Sequence, residues 1–168
     1  MQQTDSAVVA TLAVVVHPQG DRILLGRKKR GFGFGKFTGF GGKLEPGETP
    51  IEAMQREFAE ESFFVLPQEA FEEIGQIKFL FPHHPGWGFH CHIFRLNSLS
   101  ETPRPSDELD PHWFALDDLP WQQMWADNAH WLRLAAMGEH FEAVFEYGRD
   151  DEHLQRYHVR WLPGSEHD

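Results

Sequence analysis

Cysteine is nearly absent from this sequence. Cys91 stands alone among 168 residues, which excludes an intramolecular disulfide framework and a four-cysteine zinc site. A reducing cytoplasm is the default compartment for such a chain. Long apolar runs are missing too. The longest, residues 7–16, is about half the length of a membrane span. No basic segment precedes it, so neither a membrane contact nor a secretory signal is expected. Basic residues are few, 15 against 26 acidic ones, and the formal net charge of −11 disfavours polymeric nucleic acid as a partner.

Aromatic residues, by contrast, are plentiful. They make up 14% of the chain within a hydrophobic content of 40%, which argues against disorder. The length suits one domain, expected to span residues 1–168, and a monomer is expected. The charge is also unevenly spread. Residues 27–36 carry five bases (Arg27, Lys28, Lys29, Arg30, Lys36) and no acid. Residues 45–61 carry six glutamates and the single base Arg56, a local charge of −5.

Residues 7–17 and 22–25 read as two strands joined through the Pro18–Asp21 turn. Residues 31–42, with six glycines among phenylalanines, are expected to form no regular element. A helix is expected from Thr49, whose T-x-x-E pattern with Glu52 is a capping box and whose neighbour Pro50 suits the first helical position. Ile51, Met54 and Phe58 then fall on one face, and Pro67 ends the helical stretch. Residues 75–81, 89–96, 113–116, 141–147 and 154–162 read as strands, the last two as a hairpin. A Pro-rich loop over 98–111 carries Asp107 and Glu108. Helices are expected over 119–125 and over 127–137, the second capped by Asp127 and closed by Gly138. Strands interleaved with helices predict an α+β fold, a mixed β-sheet between helices in an α/β/α sandwich.

Within the helix, Glu57, Glu60 and Glu61 share one side, at i, i+3 and i+4. They repel one another, and they crowd the helix C-terminal half, where the macrodipole disfavours anions. A hard cation between them reverses both penalties, and converging carboxylates select Mg²⁺ or Mn²⁺. Taken alone, the three residues also fit a solvated acidic face. His83, His84, His90 and His92 suggest zinc only weakly, because no further motif supports it.

Residues 42–64 favour the metal reading. Gly42, Glu48, Arg56, Glu57, Phe58, Glu60, Glu61 and Phe64 match in register a segment that resembles the Nudix box, G-x5-E-x7-R-E-U-x-E-E-x-G-U with U apolar. Phe63 replaces the second glycine of that pattern. The resemblance implies the Nudix fold and Mg²⁺-dependent hydrolysis, with Mn²⁺ a possible substitute, of a nucleoside diphosphate linked to another group. It implies that Glu57, Glu60 and Glu61 are catalytic metal ligands and that Arg56 pairs with Glu48 to hold the helix on its loop. The Gly41 carbonyl and Glu108 are implied as further ligands, Glu108 alternatively as a base.

The run from Lys28 to Lys43, KKRGFGFGKFTGFGGK, fits no Walker A motif. It resembles the MutT-type branch of the same family that acts on oxidised purine nucleoside triphosphates. The likeness continues through Gly75-Gln76-Ile77, Ser106-Asp107-Glu108, Trp113-Phe114 and Met124-Trp125 with Asp127. It implies a base pocket lined by Phe32, Phe79, Phe81, Phe89 and Trp125 with Lys28 at its mouth. Thr38 stands where that branch has an asparagine, and Asn128 where it has the second of two aspartates. Asp127 with Asn128 is therefore expected to read a purine edge, guanine-type edges preferred. Other Nudix substrates, dinucleoside polyphosphates or nucleotide sugars, and a non-catalytic sensing domain are the weaker alternatives.

Overall fold

The computed structural model describes residues 8–163; Ala7, expected to open the first strand, lies outside them. Strands β1 (Val8–Val16) and β2 (Arg22–Lys28) pair antiparallel as expected, with Val15 opposite Leu24. The glycine-rich segment departs from expectation. It contains β3 (Phe37–Thr38) and β4 (Phe40–Lys43), and β4 pairs antiparallel with β1, Leu12 opposite Gly41. The physical reason is close approach: a Cβ on Gly41 would lie 2.0 Å from the Thr11 carbonyl oxygen. Glycine there serves strand pairing rather than chain reversal.

Helix α1 (Pro50–Ser62) begins at the expected capping box, Thr49 accepting from the Glu52 N–H while the Glu52 side chain accepts from the Thr49 N–H. Strands β5 (Glu72–Leu80), β6 (Phe89–Leu96) and β7 (Leu109–Ala115) follow. β7 starts four residues before the expected strand, because all of it pairs with β2, Lys28 opposite Leu109. Glu108 therefore sits at a strand entrance rather than within a free loop. The two helices expected next are much shorter. A single 3₁₀ turn occupies Trp121–Gln123, and a second 3₁₀ turn, Ala126–His130, leads into α2 (Leu132–Ala136). Asp127 caps neither, because its carboxylate is turned inward to Trp131 and Tyr147. The hairpin β8 (Phe141–Tyr147) and β9 (Leu154–Trp161) completes the sheet.

The strands form one sheet in the order β3-β2-β1-β6-β5-β8-β9, with β4 added on β1 and β7 on β2. β1 and β6 are parallel, as are β5 and β8, so the sheet is mixed. Alternate residues of a strand enter opposite cores. Ala13 and Val15 pack with Leu24, Phe94 and the α1 residues Met54 and Phe58. Val14 and Val16 pack with Ile23, Ile93 and the α2 residues Leu132 and Ala135. Helices thus cover both faces, as the sequence predicts. Phe58 is fully buried and fixes α1 on the sheet; its truncation to alanine would cost about 3–5 kcal/mol.

Candidate active site

Arg56 organises the acidic end of α1. Its Nε donates to Glu48 Oε2 at 2.6 Å and its Nη2 to Glu48 Oε1 at 2.9 Å, a bidentate pair. Nη1 reaches Glu57 at 3.1 Å and Glu60 at 3.4 Å, and Nη2 also donates to the Lys43 carbonyl at 3.1 Å. One guanidinium thereby ties the helix to the loop that follows β4. It holds the Glu48 carboxyl down at about 2.

Glu61 points into the sheet and is only 5% exposed. Its Oε1 accepts the Gly41 N–H at 2.9 Å. Burial, and then the neighbouring Glu57, push its carboxyl up to about 9. Burial also raises Glu57, against the pull of Arg56. Gly42 makes room for it, since a Cβ there would fall 2.4 Å from Glu57 Oε2. Across the pocket, Glu108 accepts from Arg30 Nε at 2.6 Å and from Lys28 Nζ at 3.4 Å. Arg30 and then Lys28 lower its carboxyl.

Glu57, Glu60, Glu61 and Glu108 line one pocket together with Gly41 and Gly42. Among the described residues, no three His, Cys, Asp or Glu side chains converge into a ready-made metal cage. The hydrogen bonds give the reason: Glu57 and Glu60 are turned onto Arg56, and Glu108 onto Arg30 and Lys28. The donor set nevertheless suits a hard divalent cation. All its groups are carboxylates or backbone carbonyls, and two carboxylates are crowded and desolvated enough to need a compensating positive charge. The four surface histidines form no such site; His90 meets Gln76 and His92 meets Glu73.

Beside this pocket lies an aromatic cavity of about 370 Å³. Phe32, Thr38, Phe79, Phe81, Phe89, Trp125, Asp127 and Asn128 all line it. Phe32 stacks on Trp125 with ring centroids 5.1 Å apart, and Phe79 on Phe89 at 4.8 Å. Phe81 belongs both to the buried core and to the cavity wall. Asp127, 3% exposed, receives Trp131 Nε1 at 2.8 Å and the Tyr147 hydroxyl at 2.5 Å. Burial raises its carboxyl to about 6, against these two donors. Asn128 uses its amide nitrogen to donate to the Trp125 carbonyl at 2.9 Å. Lys28, Gly41, Gly42 and Glu61 border both pockets, so the two adjoin.

The cavity wall also includes Lys36, Trp87, Trp131 and Tyr147. Lys36 Nζ sits 4.9 Å from the centre of the Trp125 ring, a cation–π contact within the run already singled out. Nothing local marks Tyr147. It arrives through the parallel pairing of β8 with β5, which carries the end of β8 alongside Phe81; the two rings stack at 5.0 Å.

Comparison with known proteins agrees with this architecture. An oxidized purine nucleoside triphosphate hydrolase of Danio rerio is 43% identical over 141 residues, covering 84% of this chain and 87% of the relative. Its Mus musculus counterpart is 38% identical over 150 residues, covering 89% and 92%. The crystal structure of a MutT protein from Bacillus halodurans shares the fold, with a TM-score of 0.72 at 22% identity over 90% of this chain and 97% of that one. The family pattern described as NUDIX domain matches residues 7–135. With that match and these relatives, the chain belongs to the NUDIX family.

Proposed function

We propose that this chain hydrolyses oxidised purine nucleoside triphosphates such as 8-oxo-dGTP to the monophosphate and pyrophosphate, with Mg²⁺ as cofactor and Mn²⁺ as a substitute. The observation that carries the reading is that an aromatic slot adjoins a carboxylate pocket, the two sharing Lys28, Gly41, Gly42 and Glu61 in their walls. A base in the first and phosphates in the second make one nucleoside triphosphate. The aromatic walls, Phe32 on Trp125 and Phe79 on Phe89, suit a flat ring system. The Asp127 carboxylate already accepts two hydrogen bonds and keeps acceptor capacity for an N1–H and a 2-amino group. The named activity of the two relatives points the same way.

Glu57, Glu60 and Glu61, the Gly41 carbonyl and Glu108 would hold the cation. When bound, it neutralises phosphate charge and lowers the pKa of the attacking water. Arg56 fixes Glu57 and Glu60 on the loop at Glu48 and Lys43. A carboxylate of α1 takes the proton of the water, which adds across one phosphoanhydride bond. Lys28, bordering both pockets, screens the phosphates as they enter. The reading takes residues 1–168 as one domain, acting as a monomer in the cytoplasm. Among the described residues no helix is long and apolar enough to cross a membrane. Product analysis tests the reading: 8-oxo-dGTP with Mg²⁺ should give 8-oxo-dGMP and pyrophosphate in equal amounts. A diphosphate with orthophosphate, or turnover undiminished in excess EDTA, would contradict it.

A further inference from the structure

The family box has glycine where this chain has Phe63, and the backbone shows why glycine is the usual choice. Phe63 closes α1 in the left-handed region, at φ 67° and ψ 14°, donating its N–H to the Ala59 carbonyl. A bulky side chain is strained there. Its ring is not hidden in compensation. It is 48% exposed and borders the carboxylate pocket beside Glu57, Glu60 and Glu61.

A cation lies on that ring. The Arg104 guanidinium carbon is 4.2 Å from the Phe63 ring centroid, within cation–π distance. Arg104 is presented by a stiff segment. Prolines 103 and 105 flank it, Trp113 Nε1 bonds Thr102 on one side, and Ser106 Oγ accepts the Glu108 and Leu109 N–H groups on the other. Other cations around the pocket already face carboxylates: Lys28 and Arg30 pair with Glu108, and Arg56 with Glu48 and Glu57. Arg104 makes no ion pair with any carboxylate among the described residues, though it stands beside the most acidic part of the chain. A planar, weakly hydrated guanidinium, without an ion pair among the described residues and seated on a ring that lines such a pocket, suits a phosphate group.

We propose that Arg104, seated on Phe63, is a polyphosphate-binding residue, and that the strain of Phe63 is retained because its ring positions this cation. The inference rests on the reading that the carboxylate pocket takes the phosphates. In this view Arg104 counters the repulsion between the glutamates and an incoming triphosphate.

Inorganic tripolyphosphate with Mg²⁺, measured by calorimetry, tests this without base recognition or turnover. Arg104→Ala should weaken binding about tenfold, the equivalent of roughly 1.4 kcal/mol. Arg104→Lys should recover part of that loss, as a point charge without the guanidinium fork. Phe63→Gly should weaken binding several-fold while raising the melting temperature, a split that a purely structural contact would not produce. Binding by Arg104→Ala within twofold of the parent, or no binding by the parent, would overturn the assignment. So would Phe63→Gly binding as tightly as the parent. Hydrolysis of purine triphosphates with an unchanged Arg104→Ala affinity would sink this inference alone. Loss of tripolyphosphate by Arg104→Ala in a protein that leaves purine triphosphates intact would sink the substrate reading alone.

Discussion

Tyr147 and Asp127 are bonded in both directions. The tyrosine hydroxyl donates to Asp127 Oδ1 at 2.5 Å and accepts the Asp127 backbone N–H at 3.0 Å. Both groups are buried, so neither can exchange its partner for water without cost. Tyr147→Phe removes the donor, leaves one carboxylate oxygen short of a partner and costs about 1–3 kcal/mol of stability. It also raises the Asp127 carboxyl further, because one of the bonds that lowers it is gone. A chemical denaturation curve checks the first outcome. The second appears as an upward shift of the acidic limb in a pH profile of kcat/KM for the purine substrate.

Asp127 also predicts how stability depends on pH. Its carboxyl is raised from 3.8 to about 6, so the folded state holds the proton more tightly than the unfolded chain. Its contribution is therefore complete below about pH 4 and is lost as pH rises through 6. The shift corresponds to about 3 kcal/mol across that window. Denaturation at several pH values should show the parent losing stability relative to Asp127→Asn between pH 4 and 6, with parallel curves above. A parallel course throughout would contradict the raised value.

The base slot should respond chiefly in binding. Trp125 stacks on Phe32 and has Lys36 over its ring. Base–aromatic stacking is worth about 1–3 kcal/mol per base, so Trp125→Ala should raise KM by about 5- to 150-fold while kcat changes little. Steady-state kinetics on a purine triphosphate decide this. An unchanged KM would remove Trp125 from the slot.

Two adjacent glycines should behave differently. A Cβ on Gly41 meets the Thr11 carbonyl oxygen at 2.0 Å, so Gly41→Ala must push β4 away from β1 and should cost roughly 1–3 kcal/mol or more. On Gly42 the atoms nearest the Cβ belong to the Glu57 carboxylate, at 2.4 Å, which can swing aside. Gly42→Ala should thus keep most of the stability and lose activity, because Glu57 is displaced. Melting temperatures set beside kcat values separate the two.

What could be read in the sequence was local. The capping box at Thr49, the glutamates of α1 and the Arg56–Glu48 pair lie within 14 residues and need no distant partner to be recognised. The errors came from long-range competition. Gly39 to Gly42 look like loop, yet those glycines let β4 lie against β1, some 30 residues earlier. Asp127 looks like a helix cap, but Tyr147, 20 residues on, takes its carboxylate. The early start of β7 is set by β2, about 80 residues before it. The aromatic slot was visible residue by residue through family likeness, whereas Tyr147 and Trp131 enter it only through sheet order and the turn before α2.

The most direct test of the account compares kcat/KM for 8-oxo-dGTP, 2-oxo-dATP, dGTP and dCTP with Mg²⁺, counting released pyrophosphate, for the parent and for Glu61→Gln. The account predicts that an oxidised purine is the best substrate, that dCTP is the poorest, and that Glu61→Gln loses orders of magnitude in turnover while remaining folded. A pyrimidine as best substrate, or full turnover by Glu61→Gln, would contradict it.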